Sequence, residues 1–239
     1  MYKEYPPLDS KQSGTKDKIG LIAFHDYHSE GTVTGKIKRF WSVLDEERKY
    51  FGELETIAKP IKNYPLTKTV PLTENTKILY DIYTRKFGNK NVKELDNLFE
   101  FNGVIPIGFK DRNLDYYILG EWSPNMAINR RNNFLLGVPQ IITTLACVVS
   151  LCTIPAWQTY SVDLKVYVFD RKLKLIKTTT IEDRTHMFIS WWFTPNDKNS
   201  DEFMGEGEDY GSREISYIAK KKILDYTATK FKRENFIIE

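Results

Sequence analysis

Between Arg131 and Asp163 the chain carries no Lys, Arg, Asp or Glu, although 28% of its residues are charged. The centre of this gap, Phe134 to Trp157, reads FLLGVPQIITTLACVVSLCTIPAW. Such a run is either the most deeply buried part of a domain or an element that faces a membrane. A spanning helix needs roughly 20 mostly apolar residues. Pro139 and Pro155 cut the run, and the stretch between them, Gln140 to Ile154, is 15 residues long and includes Thr143, Thr144 and Ser150. That length suits a buried helix, two short buried strands or a segment resting in a bilayer surface. The β-branched residues Val138, Ile141, Ile142, Thr143, Thr144, Val148, Val149, Thr153 and Ile154 lean toward strands. Arg130 and Arg131 would suit a cytoplasmic flank. Burial of 134–157 within the fold is expected, ahead of membrane-surface contact and of a true span.

The remaining composition is that of a folded domain. At 239 residues, 41% of them hydrophobic and 14% aromatic, the chain can bury a real core. Its 35 basic and 32 acidic residues nearly balance, which leaves no electrostatic footprint for nucleic acid. The clusters Lys220-Lys221-Lys222 and Lys230, Lys232, Arg233 read as a solvated helix end that complements the helix dipole. Cys147 and Cys152 are the two cysteines, both inside the apolar gap. A disulfide between them would fit an exported chain; free, buried thiols are the plainer expectation. Residues 1–18 are polar, with no apolar run, and read as a flexible tether. They would suit a cytosolic domain, or a mature lipoprotein with Met1 in place of its lipidated cysteine. The domain proper would be 19–239.

Along the chain, Ile19 to Tyr27 reads as a first strand and Gly31 to Gly35 as a turn. Arg39 to Lys59 reads as a helix, because Phe40, Val43, Leu44, Phe51, Leu54 and Ala58 share a stripe at helical spacing. Thr73 to Phe87 is a helix that Thr73 can cap, with Ile78, Leu79, Ile82 and Tyr83 on one face. Val92 to Phe99 reads as a short helix. Val104 to Phe109 and Leu114 to Trp122 are strands around a hairpin loop, Lys110 to Asn113. Tyr160, Val162, Leu164, Val166 and Val168 alternate along one strand face. Asp170-Arg171-Lys172 turns into a strand from Leu173 to Ile181, and His186 to Phe193 reads as another. Asn196 to Gly211 is a polar loop and Gly211 to Phe231 the last helix. The plan is α+β: a mostly antiparallel sheet with helices packed on one face.

No catalytic signature emerges. His25 and His28 are three residues apart, so on a strand they point to opposite faces. With His186 distant, no metal site is expected. Asp197 to Glu208 places Asp197, Asn199, Asp201, Phe203 and Glu208 at calcium-loop positions, but Glu202 stands where the sharp turn needs Gly. A solvated acidic loop is the expectation there. Phosphate-binding glycine loops and nucleophile elbows are absent. Asp45-Glu46-Glu47 would sit on the exposed side of a helix. No cofactor is expected. Trp157, Trp191 and Trp192 are the candidate interaction residues, since paired tryptophans can line a groove.

One succession of residues is familiar. An uncharged segment closes in Ile154-Pro155-Ala156-Trp157. An alternating strand ends in Val168-Phe169-Asp170, a short turn follows, and Leu173-Lys174-Leu175-Ile176-Lys177 leads to Trp191-Trp192-Phe193-Thr194-Pro195. This pattern, over about residues 134–195, resembles a loose group of small envelope lipoproteins of spirochaetes and gammaproteobacteria. The opening IGLIAF and the final helix are also similar to curli-secretion and transport-auxiliary lipoproteins. The resemblance implies a non-enzymatic protein-binding domain, lipid-anchored at the bacterial outer membrane or in the periplasm, with envelope or host proteins as partners. It implies no catalytic residue. The alternatives are an aromatic-pocket ligand-binding module or enzyme, and a surface adhesin for host molecules.

Overall fold

The computed structural model describes residues 17–34, 37–88, 92–123, 126–127, 134–151, 153–189 and 220–231. Its centre is β1 (Ile19–Ala23), IGLIA, buried along its whole length. β1 pairs in parallel with β8 (Tyr116–Trp122) on one side and β4 (Lys59–Pro60) on the other. β8 pairs antiparallel with β10 (Ala156–Asp170), and β10 with β11 (Leu175–Ile189). The sheet order is therefore β11-β10-β8-β1-β4. Helices accompany mostly antiparallel pairings, the α+β class expected from the sequence, but they cover both faces of the main sheet where one was expected.

Both faces of this sheet are covered, and the strand alternation sorts side chains between them. One face collects Ile19, Leu21, Ile118, Trp122, Val162, Leu164, Val166 and Val168 under Ile223, Leu224, Ala228 and Phe231 of α4, whose described turns are residues 220–231. The other collects Ile22, Leu119, Tyr167 and Phe169 under α1 (Glu74–Phe87) and α2 (Val92–Leu98). Thr73 caps α1 as expected: its Oγ1 accepts the Thr76 amide at 3.3 Å, while Thr76 Oγ1 accepts the Thr73 amide at 2.7 Å. This reciprocal box satisfies two otherwise orphaned donors. Beside α2 lies a three-stranded sheet of β5 (Lys68–Pro71), β7 (Ile105–Asp111) and β6 (Phe99–Asn102), in the order β5-β7-β6. The hairpin expected from 104–109 and 114–122 does not form. Both strands exist, but β7 joins this small sheet and β8 the main one.

The first strand ends early, at a corner. Ala23 and Phe24 have φ of 66° and 58°, the left-handed region that costs non-glycine residues about 1 kcal/mol or more each. The Phe24 amide donates to the Gly120 carbonyl at 2.9 Å, and the Tyr50 amide donates to the Phe24 carbonyl at 3.1 Å. The corner feeds β2 (His25–Thr34), which pairs antiparallel with β3 (Ile37–Lys49) in a separate two-stranded sheet. The helix expected over 39–59 is thus a strand followed by a 3-10 turn at Gly52–Thr56. Phe40, Val43 and Leu44 are spaced acceptably for either structure, and the pairing partner decides. Asp45-Glu46-Glu47 accordingly lie on β3, where Asp45 Oδ1 accepts the amides of Glu47 and Arg48 at 3.1 and 2.9 Å. β11 is one strand where two were expected, continuous to Ile189.

β10 outruns the sheet. β8 meets it only from Leu164 to Asp170. From Ala156 to Asp163 its partners are β11 and the short β9 (Met126–Ala127). Against β10 packs α3 (Phe134–Val149), which holds most of the apolar run. From 141 to 149 the run is helix, not strand, and mostly exposed. Ile141, Ile142 and Leu145 are 58–59% exposed, Val148 66% and Val149 85%. A helix satisfies its own backbone groups wherever it lies, so a charge-free sequence can adopt one without a sheet partner. The helix runs through Pro139, whose missing N–H falls in an early turn. Among the described residues no helix is long and apolar enough to cross a membrane.

The tether expected over 1–18 ends in an anchored residue. The Lys18 amide donates to Asp115 Oδ2 at 2.9 Å and its carbonyl accepts the Asp115 amide at 2.9 Å. Residues 1–16 lie outside the described residues.

The corner gives a sharp test. A Cβ built on Gly120 would fall 2.3 Å from the fully buried Phe24 ring. Gly120→Ala should therefore cost about 2–3 kcal/mol in urea unfolding, the range for overpacking a closed core. An unchanged midpoint would show that Phe24 can move and that the corner is not fixed.

Candidate functional site

Ligand sites in sheets with parallel strands gather at the strands' C-terminal ends. Here those ends, of β1 and β8, lie beside several ion-paired titratable groups. Three linked assemblies meet there.

The most buried is centred on Glu94, 7% exposed, on α2. Its Oε1 accepts the Ala23 amide at 3.0 Å and a charged hydrogen bond from Lys49 Nζ at the end of β3. Its Oε2 accepts Tyr83 OH from α1 at 2.5 Å and His25 Nε2 at 2.8 Å. His25 and Tyr83 are wholly buried. The carboxylate can only accept, so the imidazole carries its proton on Nε2. Burial by itself would raise the Glu94 pKa. The hydrogen bond from His25 and the positive charge and hydrogen bond of Lys49 outweigh it, holding the carboxyl at about 2.

Beside it, Lys86 Nζ lies 2.9 Å from Glu121 Oε1, and Tyr167 OH donates to Glu121 Oε2 at 3.3 Å. The hydrogen bond to Glu121 raises the Lys86 pKa. Burial, then the Glu121 charge, raises that of half-buried Tyr27. The third assembly is an ion pair between Lys220 of α4, 4% exposed, and Asp26. The Lys220 ammonium also lies 5.7 Å from the centre of the Trp122 ring, within cation–π range. Lys220 is therefore not part of a solvated helix end; it fastens α4 to the start of β2.

These groups are arranged to hold. A carboxylate with four donors on it and a pKa of about 2 does not act as a general base near neutrality. Glu94 joins α2 to α1, to β3 and to the β1–β2 corner, and Lys220 adds α4. Among the described residues no group of three or more His, Cys, Asp or Glu is placed to hold a metal ion.

The sequence candidates are distributed differently. Trp157 lies on β10 opposite Phe188, with its side chain outside the described residues. Trp191, Trp192 and the acidic loop Asp197 to Glu208 also fall outside them. His25 turns to Glu94, while His28 lies on β2 and His186 on β11, in different sheets. Reading the sequence missed Glu94, Tyr83, Lys49 and the Asp26–Lys220 pair. The one signal available was His25-Asp26 directly after an apolar strand, a place where polar side chains near a buried end need partners.

The second candidate is α3. Its exposed apolar positions 141, 142, 145, 148 and 149 recur at i, i+1, i+4, i+7 and i+8, one stripe of a helix with exposed Thr144 beside it. Cys147, on the inner side, is 4% exposed and disulfide-bonded, not the free thiol expected. The chain's one other cysteine is Cys152. Comparison with known protein families, with curated proteins and with solved structures finds no match.

Glu94 carries a pH signature with a definite sign. A carboxyl held below its ordinary value near 4.5 stabilises the fold above that value and loses the contribution as pH falls toward 2. The span is worth on the order of 3 kcal/mol. Glu94→Gln should cost about that much near neutrality and flatten the stability profile between pH 4.5 and 2. An equally steep acid limb in the variant would place the titrating group elsewhere.

Proposed function

We propose that the chain is a non-enzymatic domain of the bacterial cell envelope, held at a membrane and working by docking. The observation that carries this reading is α3: a charge-free helix whose aliphatic stripe faces outward, closed at its end by a disulfide-bonded Cys147. Monomeric proteins rarely leave a contiguous apolar patch of several hundred Å² uncovered, so such a stripe implies an occupant. Disulfides persist in oxidising compartments and are rare in the cytosol, which supports an exported chain. The resemblance over residues 134–195 points to the same compartment and adds a lipid anchor. The ion-paired polar assemblies at the strand ends suit a rigid carrier better than a reacting centre.

The compartment is tested by the thiol state in intact cells. Free thiols are blocked on lysis, disulfides are then reduced, and the newly exposed thiols are tagged with a polymer maleimide. Both cysteines should take the tag only after reduction. Cysteines that take no tag even after reduction were free thiols in the cell, and that result would contradict export.

A further inference from the structure

We propose that the α3 stripe lies on a lipid bilayer, seated at the boundary between headgroups and acyl chains. This rests on the docking role given to α3 above and names its occupant. Three observations select lipid over a protein partner. First, the exposed large side chains Ile141, Ile142, Leu145, Val148, Val149, Leu151 and Ile154 are aliphatic, with no aromatic among them and with only Thr144 and Thr153 exposed between them. Protein interfaces draw their energy from Trp, Tyr and Arg, with Leu and Val under-represented among hot spots. Second, from Asn132 to Val162 the sequence offers no charge. A protein partner's polar rim would find no ionic counterpart there, whereas acyl chains need none. The nearest charges on the N-terminal side are Arg130 and Arg131, complementary to anionic headgroups just where the apolar run begins. Third, α3 has 16 residues, about 24 Å of helix at 1.5 Å per residue. That is short of the roughly 30 Å hydrocarbon core, so the helix lies in the surface instead of crossing it.

The placement on the fold agrees. α3 packs against β10, the strand that runs on past the end of β8. The described chain enters at Lys18, against Asp115, at the opposite end of β1.

The test is flotation of the full-length, oxidised chain with vesicles of phosphatidylcholine, with and without phosphatidylglycerol. The wild type should float with both and more with the anionic lipid. Leu145→Glu with Val148→Glu should lower the floated fraction about tenfold or more, since each buried charge opposes insertion. Both positions are exposed, so the melting temperature should hold. Should that variant misfold, Ile142→Ser with Val149→Ser gives the milder form of the same loss. Ile78→Glu, on the exposed side of α1, should float like wild type. A wild type that does not float overturns the proposal. So does flotation unaffected by the α3 substitutions, which would assign binding to basic residues elsewhere. A soluble dimer dispersed by the α3 substitutions, without flotation, would instead make the stripe an interface between copies. In each of these cases the thiol state in cells still decides the envelope reading separately.

Discussion

A single buried carboxylate fixes how the chain leaves its central strand. Glu94 reaches from α2 to the Ala23 amide, the last residue of β1 and the first of two in left-handed conformation. That corner is costly by itself, because neither Ala23 nor Phe24 is glycine. The strain persists because its surroundings over-determine it. Glu94 holds the Ala23 amide, Gly120 receives both the Phe24 amide and its ring, and Tyr50 takes the Phe24 carbonyl. Without the turn, β1 would continue past Ala23 and β2 would not find β3. The charge itself would be expensive to bury alone. Four donors from four elements make it tolerable, and removing one exposes the cost to the rest.

The structure therefore divides its labour. The body is two-faced, with aliphatic alternation on β1, β8 and β10 supplying burial and the ionic assemblies fixing which helix sits where. The long hairpin of β10 and β11 is different. Leu164 to Asp170 of β10 pair with β8 in the body, while Ala156 to Asp163 run on past β8 with β11 and β9 as partners. Each exposed aliphatic side chain on α3 forgoes roughly 25 cal/mol per Å² that burial would return. A fold that packs Val162, Leu164, Val166 and Val168 closely but leaves Val149 and Leu151 in water is not short of ways to bury apolar groups. The stripe is thus the exposed surface on which the proposed docking rests.

Local signals in the sequence were legible where local physics decided the outcome. Thr73 before a helical stripe gives α1, and the alternation of Val162, Leu164, Val166 and Val168 gives β10 and its buried face. Where a distant partner decided, the same reasoning failed. Phe40, Val43 and Leu44 fit a helix until β2 offers a ladder, and β7 and β8 look like neighbours until β5 and β1 claim them. Glu94 lies 69 residues from His25, with no motif to join them. Lys220 reads as one of three solvated lysines until Asp26 approaches. The charge gap showed that 134–157 was special. It did not show whether the fold would bury the run or display it, because both require the same residues.

Native-state hydrogen exchange of the Ala23 amide, compared with the amides of α3, tests the central division most directly. The Ala23 amide is tied to Glu94 at the corner on which the body depends, so it should exchange only through global unfolding, with the full denaturant dependence. The α3 amides from 141 to 149 should exchange through smaller openings at lower free energy. An Ala23 amide that exchanges as readily as those of α3 would contradict the account, because the corner would then open without the body and could not be what organises it.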